Sequence, residues 1–186
     1  MRMSYWTDKV AIVTGASSGL GKTIARTYAR AGAHVVIAAR GAEALEKTAA
    51  ELCAIGHPGM AVQADVTRQE DVDALVNRTI EQYGRLDALV NNAGRSARRA
   101  VLDTTPEDFQ ELMDLNLVSV VRSTRAAAPH LLKSAGHLVN IGSLSGKIAT
   151  RYMGAYPATK YALAAYTQQL RLELGPQGLH VLLVSQ

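Results

Sequence analysis

Six short apolar runs, at 10–14, 34–39, 60–64, 86–91, 137–141 and 180–184, alternate with segments of helical periodicity at 19–31, 42–54, 69–83, 106–133 and 156–174. The runs are rich in Val, Ile, Leu and Ala and do not alternate with polar residues. Both faces of each strand are therefore expected to be covered, which is the pattern of a parallel sheet. Strand–helix repetition with right-handed crossovers folds into an α/β doubly wound sheet between two helix layers. Breaks fall where connections are needed: at Gly32, at 56–59 (Gly-His-Pro-Gly), at Gly84, at Gly136, and at Gly175 with Pro176. With 186 residues, no repeat and no low-complexity stretch, a single domain over 1–186 is expected.

Composition removes several function classes. The net charge is +4, but Lys and Arg are scattered and aromatics are only 5%, so a nucleic-acid surface is not expected. The mild positive excess suits phosphorylated ligands. Cys53 is the only cysteine, which rules out an intrachain disulfide and fits a reducing compartment. On its helical stretch it is expected to be a small packed side chain. The five histidines are isolated and lack metal-ligand spacing, so no metal is expected. Residues 1–9 are polar, without the apolar core of a signal peptide, and no run of 18 apolar residues occurs. A cytoplasmic chain without a membrane span is expected.

Three glycines separate the first run from the first helix, in Thr14-Gly15-Ala16-Ser17-Ser18-Gly19-Leu20-Gly21. Glycines there permit a tight turn, close approach to a pyrophosphate, and close packing of helix on strand. The helix start adds free N–H groups and the positive end of a dipole. The pattern predicts a dinucleotide site. The second run ends in Ala38-Ala39-Arg40-Gly41, with no carboxylate to bind a ribose 2′-hydroxyl. Arg40 suits a 2′-phosphate, so NADP(H) is favoured, with NAD(H) as the alternative. Asp65, after the third run, is either an acceptor for the adenine amino group or a turn residue.

Tyr156 and Lys160 lie four apart on one helix face, with Pro157 tolerated in the first turn. A nearby ammonium favours tyrosinate and lowers the Tyr pKa. Ser143 stands thirteen residues upstream, after the fifth run. Ligands of doubly wound sheets bind beyond the carboxyl ends of the strands, where Ser143 and Tyr156 can reach one carbonyl oxygen. Ser145 is the rival hydroxyl.

Taken together, Thr14-Gly-x-x-x-Gly-x-Gly21, Asp65-Val66, Asn91-Asn92-Ala93-Gly94, Asn116, Ser143 and Tyr156-x-x-x-Lys160 resemble the short-chain dehydrogenase/reductase family over nearly the whole chain. The resemblance implies a Rossmann-type fold. It also implies an oxidoreductase moving a hydride between a nicotinamide cofactor and a carbonyl or alcohol. Tyr156 would be the acid in reduction and the base in oxidation. Lys160 would hold the nicotinamide ribose and lower the Tyr156 pKa. Ser143 would bond the substrate oxygen, and Asn116 would hold a water linking Lys160 to solvent. Gly15, Ser17, Ser18, Gly19, Leu20 and Gly21 would cradle the cofactor phosphates. Asp65 and Val66 would meet the adenine. Asn92, Ala93 and Gly94 would lie beside the cofactor, and Asn91 would brace the central strands. The Arg40 position agrees with NADP(H)-preferring members. A homodimer or homotetramer, joined through the long helix and the Tyr156 helix, is also implied.

Family members usually continue after the sixth strand with a substrate lid and a seventh strand. This chain has Ser185-Gln186 there, so a C-terminal truncation is expected. Arg95, Arg98 and Arg99 follow Gly94 and read either as a solvated or subunit-contact loop or as an attraction for an anionic substrate. Leu144, Ala149, Tyr152 and Met153 are candidates for an apolar pocket. Two other functions compete: a non-catalytic NADP(H) sensor, and an epimerase or dehydratase on a nucleotide sugar. Those last relatives carry a different glycine spacing.

Overall fold

A computed structural model describes residues 4–56 and 59–186. His57 and Pro58, in the turn expected at 56–59, lie outside the described residues. Six strands, β1 (Val10–Thr14), β2 (His34–Ala39), β3 (Met60–Gln63), β4 (Ala88–Asn91), β5 (His137–Gly142) and β6 (His180–Ser185), form one parallel sheet in the order β3-β2-β1-β4-β5-β6. The expected doubly wound architecture is the one observed. The order reverses between β1 and β4, which sets a crevice at the carboxyl end of the sheet.

Neighbouring residues of each central strand serve opposite layers. Val10, Ile12, Val36 and Ala38 pack on one face with Leu75, Val76, Leu131 and Leu138. Val13, Val35 and Ile37 pack on the other with Ala25, Ala29, Leu45 and Leu52. The helices are α1 (Gly19–Arg30), α2 (Ala42–Ala54), α3 (Gln69–Tyr83), α4 (Pro106–Met113), α5 (Ser119–Lys133) and α6 (Tyr156–Leu174). Ala25 and Ala29 let α1 lie close to β1, which fixes where the α1 start meets the glycine turn.

Two expectations need correction. The helix expected over 106–133 is two helices joined by a π turn, Asp114–Val118. Ser119 closes it. The Ser119 hydroxyl donates to the Leu115 carbonyl, while the Ser119 N–H donates to the Asp114 carbonyl, five residues back. One residue is thereby taken up in a wider turn. Second, Cys53 is exposed rather than packed.

The amino end of the sheet, opposite the crevice, is held by Asp87. Its carboxylate accepts from the Val10 N–H at 2.9 Å and from Arg85 at 2.8 and 2.6 Å, with the Lys9 ammonium 3.6 Å away. Burial by itself would raise the Asp87 carboxyl; the Arg85 and Val10 hydrogen bonds and the Lys9 charge outweigh it and hold it below its usual range.

Candidate functional site

At the carboxyl end of the sheet the turns after β1, β2, β3 and β4 surround a cleft of about 370 Å³. One wall is Gly15, Ser17 and Ser18, and the next is Arg40 and Gly41. Asp65 and Val66 form the third, and Ala93, Gly94 and Arg95 the fourth. Gly19, Leu20 and Gly21 stand just behind, in the first turn of α1. Gly15 has φ +65° and Gly19 φ +54°, a region that glycine enters without steric cost. A Cβ on Gly15 would lie 2.9 Å from the Ala93 Cα, and one on Gly21 only 2.4 Å from the Gly15 carbonyl oxygen.

Asn92 and Thr14 stitch this turn to β4. Asn92 Nδ2 donates to the carbonyls of Thr14, at 2.9 Å, and Gly15, at 3.2 Å. The Thr14 hydroxyl accepts from the N–H groups of Asn92 and Ala93 and donates to the Val90 carbonyl. With backbone on both sides, the turn has no room to retreat. Gly21→Ala is accordingly expected to cost about 1–3 kcal/mol by overpacking. Thermal unfolding checks this; an unchanged Tm would contradict the packing described.

The α1 start suits an anion. Ser18 makes no side-chain capping bond and the first turn carries no acidic residue, so among the described residues its N–H groups are not claimed by side chains. Arg40 is exposed and makes no ion pair among the described residues. Asp65 lines the cleft and is also a turn residue, its Oδ1 accepting from the Thr67 N–H at 2.9 Å and hydroxyl at 2.7 Å. Burial would raise its carboxyl, but these bonds and the nearby Arg40 and Arg68 charges bring it below the usual range. The cradle, the free helix start and the unpaired arginine fit a dinucleotide bearing phosphates.

Beyond β5, Ser143 opens a 3-10 turn, Leu144–Gly146, its hydroxyl accepting from the Ser145 N–H at 3.2 Å. That turn rests on α6, since a Cβ on Gly146 would lie 2.8 Å from the Lys160 carbonyl oxygen. Tyr156 begins α6, and its ring is buried against Leu112 and Ala155, with Ala97 and Met153 alongside. Among the described residues its hydroxyl has no hydrogen-bond partner. Lys160 is also buried; its Nζ sits 5.8 Å from the Tyr156 ring centroid and donates to the Ile141 carbonyl at 2.9 Å. Burial pulls the Lys160 ammonium down to about 8.

Asn116 falls inside the π turn and is 1% exposed. Its Nδ2 uses both protons, on the Arg95 carbonyl at 2.9 Å and the Thr159 hydroxyl at 3.1 Å, and its Oδ1 accepts from the Arg95 N–H at 3.0 Å. The side chain thus ties the loop after β4 to α6. Thr159 was not singled out by sequence; only its place next to Lys160 pointed to it. Asn140 was missed as well. It is fully buried, accepts from Asn91 at 2.9 Å and donates to the Thr167 hydroxyl at 2.9 Å, joining β4, β5 and α6. Leu144 and Tyr152 are exposed, Tyr152 with φ +61°, while Met153 packs beside Tyr156. Among the described residues no cluster of three or more metal-ligating side chains occurs, and no helix is long and apolar enough to cross a membrane.

Comparison with known proteins agrees with this geometry. A family model described as short chain dehydrogenase matches residues 9–185. An uncharacterized oxidoreductase of Bacillus subtilis is 40% identical over 176 residues, 94% of this chain and 49% of that protein. The 11-beta-hydroxysteroid dehydrogenase A of Sesamum indicum is 41% identical over 172 residues, 90% of this chain and 49% of that one. The chain spans about half the length of these two relatives. A crystal structure of a short chain dehydrogenase/reductase from Burkholderia phymatum in complex with NAD superposes with a TM-score of 0.93 at 30% identity. That match covers all of this chain and 66% of the other.

Proposed function

Because the chain belongs to the short-chain dehydrogenase family of oxidoreductases, we propose that it interconverts a ketone or aldehyde with the corresponding alcohol, using NADP(H) in preference to NAD(H), with Tyr156 as the general acid and base. The observation that carries this reading is the buried Tyr156–Lys160 pair, with a tyrosine hydroxyl that has no hydrogen-bond partner among the described residues and an ammonium beside its ring.

When bound, the cofactor supplies the hydride to the carbonyl carbon or takes it back from the alcohol. The residues of this chain handle the oxygen. In reduction, Ser143 donates a hydrogen bond to the oxygen as it gains charge, and Tyr156 gives it the phenolic proton. The tyrosinate left behind is stabilised by the Lys160 ammonium, which at about 8 stays mainly protonated at neutral pH. Solvent then restores the Tyr156 proton. Asn116 would hold a water linking Lys160 to solvent, and its side chain also holds the Arg95 loop against the helix that presents Tyr156.

For the cofactor, Gly15, Ser17, Ser18 and the start of α1 through Gly19, Leu20 and Gly21 would hold the phosphates. Asp65 and Val66 would hold the adenine, Asn92, Ala93 and Gly94 the middle of the molecule, and Tyr156 with Lys160 the nicotinamide ribose. A homodimer or homotetramer joined through α5 and α6 belongs to the same proposal. The test is NADPH consumption, followed by absorbance, against a panel of ketones and aldehydes. Turnover of any of them supports the reading; NADPH binding without turnover of any overturns it in favour of a sensor.

Arg40 is assigned the 2′-phosphate. Arg40→Ala is expected to weaken NADPH binding by about tenfold, the scale of one charged hydrogen bond reduced by solvent. NADH affinity is expected to stay within about twofold. Calorimetric titration of both cofactors checks this, and an unchanged NADPH affinity would remove Arg40 from that role.

A further inference from the structure

Beside the proposed catalytic pair lies a second, smaller pocket of about 110 Å³, shaped by Arg95, Arg98, Arg99, Asp108, Leu112 and Ala155. A water takes about 30 Å³, so the space suits a group of a few heavy atoms. Its apolar floor, Leu112 and Ala155, is the same packing that seats the Tyr156 ring. Arg95 lines this pocket and the cofactor cleft alike, so the two adjoin.

The loop that carries the arginines is pinned at both ends. Arg95 is held through its backbone by Asn116. Arg99 donates its N–H to the Tyr152 carbonyl at 2.9 Å and accepts from the Gly154 N–H at 3.0 Å, a bridge to the segment that leads into Tyr156. The loop is therefore registered on the reaction centre.

Arg95 pairs with Glu111 at 2.8 Å. Arg99 pairs with Asp108, which also accepts from the Thr105 N–H and hydroxyl. Arg98 is exposed, lines the pocket and has no ion pair among the described residues, so of the three arginines it alone is uncompensated. A guanidinium offers a planar fork of donors that matches an oxyanion, and Leu112 and Ala155 in the same lining suit the carbon chain attached to it.

We propose that this pocket is the substrate's anion subsite, with Arg98 binding a carboxylate or phosphate, so that the substrate is an anionic ketone, aldehyde or alcohol. The inference rests on the reading under Proposed function and adds the substrate class. Its test compares each anionic carbonyl compound with a neutral partner, by NADPH consumption: 4-oxopentanoate against its methyl ester, and dihydroxyacetone phosphate against dihydroxyacetone. At least one anion is expected to show a kcat/KM about tenfold above its neutral partner, the scale of one charged hydrogen bond. Whichever pair shows it identifies the anion as carboxylate or phosphate. In Arg98→Ala that ratio is expected to fall to about one, and Arg98→Lys to restore part of it. Arg78→Ala, an equal loss of net charge at an exposed position on α3 that does not line the pocket, is expected to leave the ratio intact and so excludes long-range steering.

Equal kcat/KM for anions and neutral partners, or a ratio that Arg98→Ala leaves unchanged, would overturn the subsite alone, provided neutral ketones are reduced. If no carbonyl compound of either kind is turned over, the catalytic reading fails and the subsite with it.

Discussion

Replacement of Tyr156 by phenylalanine is expected to lower kcat by about 10²- to 10⁴-fold, the range of a lost general acid. The fold should not notice the change. The ring packs on Leu112 and Ala155, and the hydroxyl has no protein partner to lose among the described residues, so Tm is expected to hold within a degree or two. NADPH binding should persist as well, because the phosphate cradle and Arg40 lie on other turns. A kcat loss without a Tm shift separates the proposed acid from a merely structural tyrosine. Turnover retained in the variant would refute the assignment of Tyr156, whatever the substrate.

At the opposite end of the sheet the largest stability effect is expected from Asp87→Ala, about 2–4 kcal/mol. The change strips the buried Val10 N–H of its acceptor and leaves Arg85 without its partner. Because Arg85 is half exposed and can turn to water, the cost stays below that of a fully buried pair. For a chain of this length the loss corresponds to a fall in Tm of roughly 10 °C. Asp87→Asn keeps an acceptor for Val10 and is expected to lose less. The pH dependence has a definite sign. The folded carboxyl lies below its unfolded value, so its contribution is complete above roughly pH 4 and disappears as pH falls through the lowered folded value. In the alanine variant that acid-side decline should be shallower. Thermal scans at several pH values read both effects, and a variant that melts with the wild type would remove Asp87 as the clamp.

Strands and most helices were legible because they depend on averages. Six continuous apolar runs can only be covered on both faces, and the observed order places Gly15, Arg40, Asp65 and Ala93 around one crevice, as the motif spacings had suggested. What escaped sequence depends on single partners. Cys53 follows Leu52 by one residue, about 100° round the helix, which is enough to leave the buried face of Leu45, Thr48 and Leu52. Asn140 and Thr159 are polar residues whose burial makes sense only once Asn91, Thr167 and Asn116 are brought to them from elsewhere in the chain. The π turn left no trace in the periodicity, since it takes up a single residue within a continuous helical pattern.

That turn has a consequence for which changes the chain can tolerate. Because Asp114–Val118 absorbs one residue, everything after it is out of phase by about 100° with a plain helix begun at Pro106. Deleting one residue there would relax the helix locally yet rotate α4 against α5, uncoupling the floor under Tyr156 from the face of α5 that covers the sheet. Insertions and deletions are usually filtered by how much they disturb hydrogen bonding. Here the filter is angular: a deletion that improves the local hydrogen-bond pattern would still misalign two working surfaces. The turn at Gly84, between α3 and β4, carries no helical phase across it, and a Cβ there would meet nothing within 4 Å.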